Sequence, residues 1–194
     1  MTFEGYDAGD DRYVDPRTLI LRNRLGLTDQ ADLTEFETVS VTQRSEEPFP
    51  EGRLSRSHYL ATHRHLFQDV YVWAGKVRTV RTGKEGNWFC YPENILGELD
   101  RVFRWLKDYH YLRALTPEEF AAGGAYFLSE LNAIHAFREG NGRTQNAFFA
   151  LLAAQAGHPI DFDKLDPEAF LEAMVHSFTS DNRLLEAQIL DLIT

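Results

Sequence analysis

The sequence predicts an all-α fold, a helical bundle around two central buried helices with a short β-hairpin. Three observations predict it. Helix-start signals recur along the chain, two segments are apolar on nearly every face, and only one stretch alternates as a strand does. The 194 residues, 43% hydrophobic and 26% charged, suit one domain with a sizeable core.

Taken in order, Asp15-Pro16 reads as an N-cap with proline at the first helical position, and Gly26 as a stop, so a helix is expected over residues 17–25. Further helices are expected over about residues 34–46 and 55–70. Residues 77–82, Val-Arg-Thr-Val-Arg-Thr, are β-branched and alternating, and residues 83–87 carry turn chemistry. Trp88-Phe89-Cys90-Tyr91 is strand-like again, so a hairpin is expected over 77–91. Ile95, Leu99, Val102, Phe103 and Leu106 then form the stripe of a one-sided helix between Pro92 and Asp108.

Thr116-Pro117-Glu118-Glu119 is a helix start with a capping-box Glu. The helix it opens is apolar all round through residues 120–134, and residues 147–154 share that character. Such helices belong in the middle of a core. Asp166-Pro167 opens another helix, over about 168–178, and a last one is expected at about 182–193. The expected organisation is a single domain, 1–194, with N-terminal helices at about 13–50, a core at about 55–160 and C-terminal helices at about 166–193.

Composition excludes several classes. With 20 Lys+Arg against 30 Asp+Glu the formal net charge is -10, which gives phosphate backbones no general footing, so no direct nucleic-acid partner is expected. Cys90 is the only cysteine, so neither an internal disulfide nor a cysteine-built zinc site can form. Residues 1–7 are acidic without an apolar run, unlike a secretory signal, and no stretch approaches the roughly 18 apolar residues of a membrane span. A soluble, cytoplasmic protein is the expectation.

Chemistry is expected where the two central helices join, at His135-Ala136-Phe137-Arg138-Glu139-Gly140-Asn141-Gly142-Arg143. Gly-Asn-Gly before a helix lets backbone amides converge on an anion, and the helix adds its positive dipole end. Arg143 can fork onto phosphate oxygens. Glu139 is a hard oxygen ligand suited to Mg²⁺, and His135 can accept a proton near neutral pH. Singly these would be a turn, a surface cation, a surface carboxylate and a packed histidine. Together, within nine residues, they suit phosphoryl or nucleotidyl transfer.

This string resembles the signature loop of the Fic family, His-x-Phe-x-(Asp/Glu)-Gly-Asn-Gly-Arg-x-x-Arg. Residues 13–29 are similar to the family's N-terminal helix, and residues 65–75 to the segment leading into its hairpin flap. The resemblance implies a Fic fold and transfer of AMP from ATP to a protein hydroxyl. It implies that His135 is the general base, that Phe137 anchors the loop, and that Glu139 holds Mg²⁺. Gly140, Asn141, Gly142 and Arg143 would hold the phosphates of the ATP co-substrate. Asn146 stands where the family has its second arginine, and Ala136 where many relatives have proline.

In such a protein the flap, with Val77, Arg78, Thr79, Val80, Trp88 and Phe89, would dock the target by strand addition, and Arg78, Arg81 and Lys84 could select an acidic partner. The family's inhibitory pattern, (Ser/Thr)-x-x-x-Glu-(Gly/Asn), is not met at Glu4, Glu51, Glu85, Glu93 or Glu139. That implies a separate small antitoxin chain supplying the inhibitory helix, and a type II topoisomerase subunit as a reasonable target of such a bacterial toxin. Two alternatives keep the fold: a different nucleotide or transferred group, and a silent fold that binds proteins. His63 and His65, two apart on different helix faces, read as packing and surface residues rather than metal ligands.

Overall fold

The computed structural model describes residues 11–84 and 87–193. Residues 1–7, read above for a signal, and Glu4, Glu85 and Gly86 fall outside them. Among the described residues, seven α-helices and one two-stranded hairpin follow in the order α1 Gln30–Glu46, α2 Arg56–Phe67, β1 Gly83–Lys84, β2 Asn87–Trp88, α3 Ile95–Asp108, α4 Pro117–Ile134, α5 Asn141–Ala156, α6 Pro167–Thr179 and α7 Arg183–Ile193. The all-α expectation holds. The chain divides into two compact units, residues up to Leu96 with His135–Thr144, and Gly97–Ile134 with the residues from Gln145 onward.

In the first unit the helix expected over 17–25 does not form. Asp15 accepts from the Arg17 amide at 2.9 Å, Leu19 has a left-handed φ of 59°, and Val14 bridges Leu21 antiparallel. The Asp-Pro signal is used as a side-chain turn, and the segment folds back so that Tyr13, Ile20 and Leu21 are buried. The helical likeness of residues 13–29 fails with it. Helix α1 starts four residues before the expected 34, where Asp29 caps the amides of Ala31 and Asp32. Helix α2 follows a Ser55 cap and buries Tyr59, Leu66 and Phe67.

The hairpin is shorter than expected. Gly83 pairs with Trp88 and Lys84 with Asn87, so Gly83, Lys84 and Asn87, expected in the turn, are strand residues beside the expected Trp88, and 77–82 is not a strand. The Phe89 amide still donates to the Thr82 carbonyl at 3.1 Å. Further back the carbonyls that a ladder would use are taken by a buried arginine, Arg78.

The second unit matches the sequence closely. The predicted capping box exists: the Thr116 amide donates to the Glu119 carboxylate at 2.9 Å and the Glu119 amide to Thr116 Oγ1 at 3.3 Å. Every residue of the predicted α3 stripe is buried. Helix α4 buries side chains around most of its circumference, and α6 and α7 pack on it. Phe103 meets Phe127 and Phe148 edge-on, each at 5.6 Å. A Cβ at Gly124 would lie 2.8 Å from the Phe149 ring, so glycine sets that close approach. No helix among the described residues is long and apolar enough to cross a membrane.

Candidate active site

The loop leaves α4 at His135, which takes a left-handed φ of 48°, and enters α5 at Asn141. Two features fold it. Asn141 is buried, and its side chain accepts from the Phe137 amide at 2.9 Å and donates to the Phe137 carbonyl at 2.8 Å, closing the loop on itself. Gly140 has φ of 81°, available to glycine at no steric cost, and its carbonyl accepts both the amide and the hydroxyl of Thr144. The Thr144 bond starts the α5 ladder, so the amides of Asn141, Gly142 and Arg143 form the helix's N-terminus, where anions are favoured.

Phe137 is fully buried, stacked on His63 at 3.8 Å. His63 accepts from the Gly75 amide on Nδ1 at 2.8 Å, which makes Nε2 the donor to the Glu139 carbonyl at 3.0 Å. Burial, together with the Arg143 charge, holds this histidine down at about 3 and so neutral, as a strut under the loop. The packing role read for His63 is the observed one. His65 bonds the Arg44 carbonyl instead.

His135, Glu139, Asn141 and Gly142 line one cavity of about 140 Å³ together with Lys84, Phe89 and Arg138. The Phe89 ring lies flat on the His135 imidazole, 3.7 Å away at 7°. Arg138 pairs with Asp11 at 2.6 Å, both side chains almost wholly buried, which ties the N-terminal segment to the loop. Arg143 is 39% exposed and reaches Glu37 at 2.5 Å and Glu139 at 3.3 Å, over the Phe67 ring. Glu37 also accepts from the Tyr71 hydroxyl. Phe137, Gly140 and Arg143 do not line the cavity. Asn146 is exposed and borders a small apolar recess of the second unit with Phe149, Phe162 and Phe170.

Of the flap residues, Phe89 meets the loop, Trp88 is exposed, and Thr79 bonds the Tyr13 hydroxyl, while Val77 and Val80 are half-buried. Arg78 is 1% exposed, which removes it from the cations expected to select an acidic partner. Arg81 instead stacks between Trp88 and Tyr91, 4.3 and 4.2 Å from the ring centres. Sequence reasoning missed Glu37, Asp11 and the buried role of Arg78. Nothing in a single sequence brings them to the loop.

Burial raises the Glu139 carboxyl above the usual range, and the Glu37 charge raises it further, against the Gly140 amide and Arg143. The folded chain therefore takes up this proton before the unfolded chain does. The ionised group costs stability at neutral pH, and acidification removes that cost. Glu139→Gln is expected to melt at a higher temperature than the parent at pH 7.5, with the gap closing towards pH 4. Melting curves at both pH values check this, and a variant less stable at pH 7.5 would contradict it.

A probable protein adenylyltransferase of Sinorhizobium fredii is 49% identical over 97% of this chain and 98% of its own length. A protein adenylyltransferase of Bartonella schoenbuchensis is 37% identical over 95% of this chain, which spans only 39% of that longer protein. Among solved structures, the N-terminal Fic domain of a putative cell filamentation protein of Bartonella quintana, with bound ADP, matches at a TM-score of 0.83, with 26% identity and 93% of each chain covered. These matches define an enzyme of the nucleotidyltransferase class. With the Fic/DOC family model also matching residues 53–153, the chain belongs to the Fic/DOC family.

Proposed function

We propose that this chain transfers AMP from Mg·ATP to a side-chain hydroxyl of a target protein. The observation that carries this is the convergence of His135, Glu139 and the first turn of α5 on one cavity. His135 takes the hydroxyl proton, the oxygen attacks the α-phosphorus, and the bond to the bridging oxygen breaks to release pyrophosphate. The amides of Asn141 and Gly142, together with Arg143, carry the phosphate charge, whereas the Gly140 amide is engaged by Glu139 Oε1 and serves the turn. A Cβ at Gly142 would meet nothing within 4 Å, so this turn presents bare backbone outward.

Glu139 fits Mg²⁺: both of its contacts, to the Gly140 amide and to Arg143, fall on Oε1. No group of three metal-ligating side chains occurs among the described residues, so the ion's other ligands would be phosphate and water oxygens, as Mg²⁺ prefers. When bound, the ion offsets phosphate charge. The flap lines up the target through its main chain, and a separate antitoxin supplies the inhibitory helix that this sequence lacks.

The test is mass spectrometry of bacterial lysate proteins after incubation with the chain and Mg·ATP. An AMP adduct on a Ser, Thr or Tyr is expected, with type II topoisomerase subunits the first acceptors to inspect. Label retained from α-³²P-ATP and not from γ-³²P-ATP marks AMP. The reverse would mean phosphate transfer, and no transfer from any nucleotide would leave a protein-binding module. Asn146→Arg, three residues after Arg143 on α5, is expected to tighten Mg·ATP and raise transfer by roughly 10–100-fold, the yield of one charge-assisted contact. Calorimetric titration checks it, and unchanged affinity would remove position 146 from the phosphate track.

A further inference from the structure

Arg78 is among the largest fully buried side chains, and it is a cation. Burying a guanidinium is costly unless its donors are met, and here they are met by carbonyls from three separate segments. Nε donates to His135 O at 2.7 Å, one terminal nitrogen to Val80 O at 2.7 Å, and the other to Cys90 O at 2.6 Å. The Arg78 backbone amide adds a bond to Ala136 O at 2.9 Å. One residue therefore grips the chain entering the hairpin, the chain leaving it, and two successive peptides of the loop.

One of the residues it grips needs holding. His135 has a left-handed φ of 48°, a conformation that residues with a Cβ leave when nothing fixes their peptide groups. Its ring lies against Phe89, the neighbour of the gripped Cys90. The planar fork of arginine reaches all three carbonyls at once, and a lysine ammonium on a flexible stem does not reproduce that geometry.

We infer that Arg78 is a positioning residue for transfer, locking the flap to the loop so that the His135 imidazole faces an acceptor laid along the flap. The consequence for transfer rests on the function proposed above, whereas the locking itself does not. In Arg78→Lys, Mg·ADP affinity is expected to stay within about threefold of the parent, because no phosphate contact is touched. The nuclear Overhauser contact between the Phe89 and His135 rings is expected to vanish. Labelling of lysate proteins from α-³²P-ATP should fall at least about 30-fold at saturating ATP, as a loss in kcat without a matching change in KM for ATP.

A retained ring contact with unchanged labelling overturns the inference. So does an equal loss of ADP affinity and labelling, which marks general disruption. Where the parent itself transfers nothing, the proposed function fails, and the ring contact alone still decides the locking. Should Arg78→Lys melt more than about 10 °C below the parent, Arg78→Gln, which keeps two donors and no charge, carries the same measurements.

Discussion

Replacing His135 with alanine is expected to lower AMP transfer roughly 10³-fold while leaving Mg·ATP affinity within about threefold of the parent. A positioned general base contributes about 10²–10⁴-fold. Around the cavity the other proton acceptor is Glu139, whose carboxylate is engaged by the Gly140 amide and Arg143. The groups proposed to hold phosphate lie after residue 139 in the chain, in the turn that Asn141 and Thr144 pin in place, so losing the imidazole leaves them intact. The fold should survive, since the His135 side chain is half-buried and its backbone is held through its carbonyl. Radiolabel transfer and calorimetric titration measure the two quantities. Transfer at the parental rate would end the general-base assignment, and loss of ATP binding would make His135 a ligand rather than a base.

Legibility differed by kind of signal. Helices α3, α4, α6 and α7 were readable because caps and periodicity there agree with the packing, as the Thr116–Glu119 box and the α3 stripe illustrate. Residues 17–25 misled because Asp-Pro serves an Asx turn as well as a helix start, and the burial of Ile20 and Leu21 decided between them. Residues 77–82 misled because β-branched alternation records local preference only. The carbonyls of Val80 and Cys90 found the Arg78 side chain in place of a ladder partner. The loop was readable because its chemistry sits in nine contiguous residues. Its supports were not, since Asp11, Glu37, His63 and Arg78 each reach it from 57 to 127 residues away, over separations at which one sequence carries no pairing signal.

Gly140→Ala is expected to cost roughly 2–5 kcal/mol of stability and to weaken Mg·ATP at least about tenfold. Two penalties combine. Left-handed backbone costs a residue with a Cβ about 1–2 kcal/mol, and Gly140 sits at φ of 81°. Overpacking a filled core adds about 1–3 kcal/mol, and the new Cβ would lie 2.3 Å from Phe67 Cζ. The Phe67 ring cannot swing clear, since it is fully buried and stacks on His63 at 4.8 Å with the Arg143 guanidinium over its face. The loop must move instead. That shifts the Gly140 carbonyl that anchors Thr144, and with it the first turn of α5. The two penalties separate in a double-mutant cycle with Phe67→Leu. The smaller side chain relieves the clash and not the backbone strain, so the double variant should lose at least about 1 kcal/mol less than the sum of the singles. Additivity within about 0.5 kcal/mol would mean that Phe67 does not confine the loop. Gly142→Ala is the internal control: its Cβ meets nothing within 4 Å, so stability should hold, and any fall in Mg·ATP affinity there reports phosphate lying directly against that amide.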